Sequence, residues 1–261
     1  MFDLGFIGCG NMGSALVRAA ARGGARIALY DIDEDRVNAL CASTGAMAAA
    51  LDFLMQESRY VVLGVKPHQI AALCSTLKPL ARPGQIFVSM AAGVAVEQIE
   101  SALKGAAVIR IMPNTPCAVG EGLITYCVGK NCPQAAAEHF LALMKHAGTF
   151  DEIGESLIDA ASAVAGCGPA FAAMFLEALA DGGVQCGLPR AKAMQYARQM
   201  LIGTARLAAE EELHPGQLKD SVCSPGGSTI AGVAKLEEKG FRGAVMQAVC
   251  AANARNKELG K

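Results

Sequence analysis

Three glycines near the start of the chain and a polar turn near its end are the residues best suited to chemistry. Gly8, Gly10 and Gly13 stand in G-x-G-x-x-G spacing within GFIGCGNMG. In that pattern the first glycine makes a tight turn, the second lets backbone approach a pyrophosphate, and the third lets a helix pack closely on a strand. The apolar LGFIG precedes the loop and the helix-like SALVRAAARGG follows it. Order and spacing together point to dinucleotide binding; the plainer alternative is a tight β–α turn with no ligand. Asp31 ends the next apolar run, eighteen residues after Gly13. A carboxylate there accepts from a ribose 2′-hydroxyl and repels a 2′-phosphate, which favours NADH. The same DIDEDR segment offers Arg36, and Asp31 is also placed to cap the following helix. Both NADH and NADPH therefore stay open.

The second stretch, CSPGGST from Cys223 to Thr229, interrupts text that otherwise reads as helix after helix. Proline, two glycines and three hydroxyls read as a turn leading into a helix. Two glycines entering a helix leave backbone N–H groups pointing one way, which suits a carboxylate. Ser224 and Ser228 add donors, and the Thr229 hydroxyl accepts as well as donates. A turn that only caps a helix is the structural alternative. His68, His139, His146 and His214 show no ligand spacing, so no metal is expected. Cys9 inside the glycine loop reads as a small filler, and Met194 and Met200 as helix packing.

These residues need elements to position them. Apolar runs at Leu4–Gly8, Arg26–Asp31, Tyr60–Val65, Gln85–Met90, Ala106–Met112 and Gly122–Val128 alternate with helical patterns. Such runs, apolar on both faces, predict a Rossmann-type, doubly wound, mainly parallel sheet of an α/β protein. After about Phe150 the pattern becomes helical. Pro169 and Pro189 mark helix starts, helices are expected at about Thr229–Lys239 and Arg242–Leu259, and Gly240 is a stop. The expected domains are 1–153, dinucleotide-binding, and 154–261, an all-α dimerisation and substrate domain. The helical faces carry Ala, Gly and Met, which predicts burial against a second copy.

Composition narrows the classes. The 261 residues are 52% hydrophobic and 18% charged, with a net charge of −1 and no block of like charge. That excludes a disordered chain and leaves no electrostatic footprint for nucleic acid. The opening MFDLGFIGCG lacks the basic and then apolar pattern of a secretory leader. No apolar stretch in the sequence reads as long enough to span a membrane, so no membrane partner is expected. Ten scattered cysteines without a C-x-x-C read as thiols of a reducing cytoplasm.

Several segments together resemble the pyrroline-5-carboxylate reductases: FIGCGNMG, VKPHQ (Val65–Gln69), SMAAGV (Ser89–Val94), RIMPNTP (Arg110–Pro116), GCGPAF (Gly166–Phe171), HPGQLKD (His214–Asp220) and CSPGGSTIAGVAKLE (Cys223–Glu237). The matches run from the first strand to the last helices. The resemblance implies reduction of the cyclic imine Δ1-pyrroline-5-carboxylate to proline by NADPH or NADH. It implies cofactor contacts from Ile7, Gly8, Cys9, Gly10, Asn11 and Met12 at the pyrophosphate, beside the Gly13 and Asp31 that the motif and its spacing already single out. Val65, Lys66 and Pro67 would border the adenosine side, and Ala91, Ala92, Gly93 and Asn114 the nicotinamide ribose. Ser224, Gly226, Gly227, Ser228 and Thr229 would hold the substrate, with Glu155 and Glu212 as carboxylates near the pocket and Thr229 at the ring nitrogen. The small-residue helical faces predict an intertwined homodimer, and a larger ring of dimers stays open. Asp31 departs from a family that often has a hydroxyl or basic residue there and commonly uses NADPH.

Two other readings compete. A β-hydroxyacid dehydrogenase has a similar first loop but uses a lysine on the helix after the domain junction. Here the segment after GCGPAF has no lysine until Lys192. A non-catalytic NADP-binding sensor would need no organised polar turn in its helical half.

Overall fold

The computed structural model describes residues 1–259. Its eight-stranded sheet has the order β3-β2-β1-β4-β5-β6-β7-β8. The strands are β1 (Phe2–Ile7), β2 (Ile27–Tyr30), β3 (Met47–Ala48), β4 (Ser58–Leu63), β5 (Ile86–Ser89), β6 (Ala107–Met112), β7 (Gly122–Val128) and β8 (Gly148–Glu152). All neighbouring pairs are parallel except β6 and β7, where Ile109 stands opposite Val128. Chain order reverses between β1 and β4, the switch point at which open α/β sheets open a crevice for ligands.

The helices over the sheet are α1 (Asn11–Arg22), α2 (Glu34–Thr44), α3 (Leu51–Glu57), α4 (Ile70–Leu77), α5 (Val96–Ala102) and α6 (Gln134–Met144). Strand residues alternate between two apolar layers. Tyr60 and Val62 of β4 enter one, packed with Leu16, Ala19 and Ala20 of α1. Val61 and Leu63 enter the other, packed with Leu54, Ile70 and Leu77. Burial on both faces is what makes these strands read as continuous apolar runs. β3 and β8 lie at the sheet edges, and the expected strands did not include them.

Contacts group the chain into two compact units, Met1–Cys167 with the chain end from Ala251, and Gly168–Cys250. The expected division after residue 153 falls just beyond β8 instead. The difference has a cause in residues 155–165, which bond to the sheet unit: Arg110 pairs with Glu155 at 3.1 Å and with Asp159 at 3.2 Å. Asn114 Nδ2 donates to the Ala165 carbonyl at 3.0 Å, and Asn256 Nδ2 to that of Asp159.

After α7 (Ile158–Ala161) and a π-helical turn at Ser162–Gly166 come α8 (Gly168–Gln185), α9 (Arg190–Glu210), α10 (Pro215–Ser221), α11 (Ser228–Glu238) and α12 (Phe241–Leu259). Helices α8 and α9 pack through small residues. Ala180, Ala193 and Ala197 are buried, and a Cβ on Gly183 would lie 3.1 Å from that of Ala193. The helical run Glu155–Gln185 has 31 residues and a mean hydropathy of 1.6 over its most apolar window, enough by length and composition to cross a membrane. This corrects the expectation that no stretch approaches that length. The π-helical turn carries the run through GCGP, which in the sequence reads as a break.

Candidate active site

The glycine loop begins where β1 ends. Gly8 has φ +103°, and a Cβ there would lie 2.5 Å from the Gly64 carbonyl oxygen. A Cβ at Gly13 would overlap the Gly8 carbonyl, whereas one at Gly10 meets nothing within 4 Å. Gly8 and Gly13 therefore close the turn and Gly10 leaves it open. Helix α1 starts without a side-chain cap, and its first backbone bond runs from Ser14 N–H to the Gly10 carbonyl at 2.8 Å. The N–H groups of Asn11, Met12 and Gly13 precede that bond, an arrangement that favours a bound anion.

Asp31 is drawn into the loop. Its Oδ2 accepts from Cys9 N–H at 2.5 Å and its Oδ1 from Asp33 N–H at 3.0 Å. The Cys9 side chain itself is fully buried. Burial, reinforced by the Asp31 charge, pushes its thiol up to about 12, so it stays neutral.

Two cavities open around the loop. One of about 680 Å³ is lined by Ile7, Gly8, Gly10, Asp31, Val65 and Lys66, joined by Tyr30, Ile32, Arg36 and His68. The other, about 480 Å³, is lined by Gly10, Asn11, Met12, Gly13, Val65, Lys66, Pro67 and Ala92, with Arg36, Met90, Met112 and Pro113. Both are of ligand size, and Gly10, Val65, Lys66 and Arg36 border both. The fold thus gathers most of the expected cofactor residues around two adjoining hollows. Arg36 and Met112 join them. The first appears in the sequence as the basic residue after β2, the second inside RIMPNTP.

Other expected residues lie elsewhere. Ala91 is buried in the apolar layer, and Gly93 has φ +74° in the turn that follows β5. Asn114 is buried with its amide committed: Nδ2 donates to Ala165 and Oδ1 accepts from Leu123 N–H at 3.0 Å. Glu155 Oε1 accepts from Val96 N–H at 2.7 Å and from Arg110. Arg110 is only 4% exposed, and its role was missed. Its signal was a lone cation inside an apolar strand, which must find carboxylates.

The polar turn lies in the helical unit. Gly227 N–H donates to the Ser224 carbonyl at 3.0 Å and Gly226 has φ +69°, so Ser224-Pro225-Gly226-Gly227 has the marks of a type II turn. Helix α11 then begins with Gly227 at its N-cap and no side-chain cap. The N–H groups of Ser228, Thr229 and Ile230 occupy its first turn, with Thr229 exposed. Glu212, in the same unit, has φ +49°, a conformation that costs a non-glycine residue about 1 kcal/mol.

A parallel sheet of order 3-2-1-4-5-6 with a glycine loop at its switch point defines a dinucleotide-binding oxidoreductase fold. The comparisons with known proteins narrow this. A family described as NADP oxidoreductase coenzyme F420-dependent matches residues 3–93, and pyrroline-5-carboxylate reductase dimerisation matches residues 155–259. A pyrroline-5-carboxylate reductase of Methanosarcina acetivorans is 39% identical over 99% of this chain and 98% of its own. One of Pisum sativum is 38% identical over 99% and 96%. A crystal structure of Plasmodium falciparum pyrroline carboxylate reductase with NADP bound superposes with a TM-score of 0.91 at 30% identity, covering 100% of this chain and 98% of that one. The chain belongs to the pyrroline-5-carboxylate reductase family.

Proposed function

We propose that this protein reduces Δ1-pyrroline-5-carboxylate to L-proline with NAD(P)H. The observation that carries the reading is the pairing of two features in a member of this family: an open glycine loop bordered by two cavities, and an uncapped helix start behind a Ser-Pro-Gly-Gly turn. Bound NAD(P)H supplies the hydride for the imine carbon. The chain's part is to orient, since a protonated imine is already electrophilic and positioning supplies much of the acceleration.

Asn11, Met12 and Gly13 N–H groups hold the pyrophosphate, with Gly10 giving it room. Val65, Lys66 and Pro67 border the adenosine side, and Ala92 the nicotinamide side together with Met112. The buried Ala91 and Asn114 and the turn residue Gly93 shape that end from behind. In the helical segment 154–261, the first-turn N–H groups of α11 with Ser224 and Ser228 hold the substrate carboxylate. Thr229 contacts the ring nitrogen, and Glu212 is a further carboxylate of the substrate site in this reading. Glu155 serves the site through Arg110.

NADPH is the preferred cofactor in this reading. Both Asp31 oxygens already accept backbone N–H groups, while Arg36 borders both cavities. A relative in this family binds NADP.

The protein works as a homodimer through α8 to α12, where Met174 is 70% exposed and Tyr196, Ile202 and Met246 are also exposed. Its ten free cysteines suit a reducing cytoplasm. Mixing the protein with pyrroline-5-carboxylate and NADPH in one sample, and with hydroxyisobutyrate and NADP⁺ in another, tests the reading against the β-hydroxyacid dehydrogenase alternative. Turnover with the hydroxy acid alone would overturn it. A stable monomer by light scattering at micromolar concentration would overturn the dimer.

A further inference from the structure

A third cavity, of about 590 Å³, lies between α5 and the ends of β7 and β8, and of its lining only Glu155 has a part in the reaction above. It is lined by four glutamates, Glu97, Glu100, Glu152 and Glu155, with Lys130 the single cation among the lining residues. Glu155 is already paired with Arg110, and Glu152 Oε2 accepts from the Tyr126 hydroxyl at 3.3 Å. Glu100 is different. It is only 5% exposed, and its Oε1 is buried with no hydrogen-bond partner among the described residues.

Gly129 makes the space for this carboxylate. A Cβ there would lie 2.5 Å from Glu100 Oε1 and 2.8 Å from Val96 Cγ1. A buried carboxylate without a partner is costly, and an opposite charge is what offsets the cost. Glu97, Glu100 and Glu152 against one ammonium leave the hollow net negative, and a concave wall of one sign concentrates counter-ions.

The chemistry of the lining selects among cations. Among the described residues no group of three or more His, Cys, Asp or Glu converges as a metal site. Val96, Val128 and Ile153 share the lining with the carboxylates, offering apolar surface that a hydrated metal ion does not use. We propose that this cavity takes an ammonium or guanidinium group on a short alkyl stem, with the charge on Glu100 and the stem against Val96, Val128 and Ile153.

A free amine and a Lys or Arg side chain of a second copy present the same group, so the test has two arms. In the first, the full chain is titrated calorimetrically with butylamine, butylguanidine and, as control, magnesium chloride. Saturable 1:1 heat with an organic cation, weakened about tenfold or more in Glu100→Gln, assigns a free ligand. In the second arm, light scattering compares the parent with Glu100→Gln. Loss in the variant of association beyond the α8–α12 dimer, without heat from the amines, assigns a second copy. Glu100→Gln keeps the side-chain shape, and circular dichroism checks that it is folded. Gly129→Ala, which crowds Oε1, should weaken the same signal. The proposal is overturned by three results: no heat with association unchanged, amine binding undiminished in Glu100→Gln, or magnesium binding as well as the amines.

Discussion

The carboxylate of Asp31 accepts a hydrogen bond from the backbone N–H of Cys9 at 2.5 Å, joining the end of β2 to the glycine loop. With Asp33 N–H on its other oxygen, Asp31 works as a brace for the loop before it works as a selector of the ribose. Arg36, which borders both cavities and pairs with Asp33 at 3.1 Å, is then the cation we propose for a 2′-phosphate. Arg36→Ala should raise the KM for NADPH about tenfold and leave that for NADH within about twofold, as expected of one phosphate contact. Asp31→Ser, which removes a carboxylate that repels a 2′-phosphate, should shift the preference the other way, toward NADPH. Steady-state kinetics with both cofactors check the pair, and an equal loss for both cofactors in Arg36→Ala would remove the assignment.

Gly10 and Gly13 differ by what surrounds them, and alanine should separate them. Gly13→Ala drives a methyl into the Gly8 carbonyl, so thermal stability and cofactor affinity should both fall. Gly10→Ala meets open space, so melting should move by no more than about 2 °C while cofactor affinity drops about tenfold or more. Scanning calorimetry and a fluorescence titration of NADPH read the two effects independently.

The glycine loop and the helix-entering turn were legible because their meaning lies in adjacent residues and does not depend on partners far along the chain. The six central strands were legible for a related reason: burial on both faces writes unbroken apolar runs. Two elements left no such trace. β3 is two residues long, and β8, GTFDE, is a half-exposed edge strand whose partner on one side is β7 alone. Roles that depend on distant partners were also hidden. Arg110 reaches carboxylates 45 and 49 residues later, and Asn114 reaches a carbonyl 51 residues away. Spacing carries no record of such pairs.

Arg110→Met tests the pairing directly. The guanidinium is 4% exposed, and Glu155 and Asp159 are 37% and 24% exposed. Water partly screens the carboxylates, so the cost should lie below that of a fully buried pair, about 2 kcal/mol by urea denaturation. Replacing Glu155 with Gln should cost less, since the Val96 N–H keeps an acceptor. The opposite order would mean that Arg110 is not the centre of the network.

Alkali should unfold the protein through its buried thiols. Burial pushes Cys9 up to about 12 and Cys127 up to about 11, from an ordinary 9.0. Unfolded thiols lose protons first, so stability is intact below about pH 9 and falls as pH rises toward 11 and 12. The slope approaches about 1.4 kcal/mol per pH unit for each thiol. Denaturation of Cys9→Ala across pH 8 to 11 should show a shallower fall than the parent, and an unchanged slope would remove Cys9 from the account.

Thr229 stands in the first turn of α11, which has Gly227 at its N-cap and no side-chain cap. Thr229→Ala should lower kcat/KM for the imine about tenfold or more while the Kd for NADPH stays within about twofold. Equal losses in both would reject its contact with the ring nitrogen. Thr229→Ser, which restores the hydroxyl, should recover most of the rate.

The most direct test of the central reading counts product. Purified protein is mixed with pyrroline-5-carboxylate and NADPH, and the loss of nicotinamide absorbance is compared with proline measured in the same sample. One proline for each NADPH consumed is the predicted result, with NADH giving the same ratio at a lower rate. NADPH bound but never consumed, or consumed without proline, would contradict it.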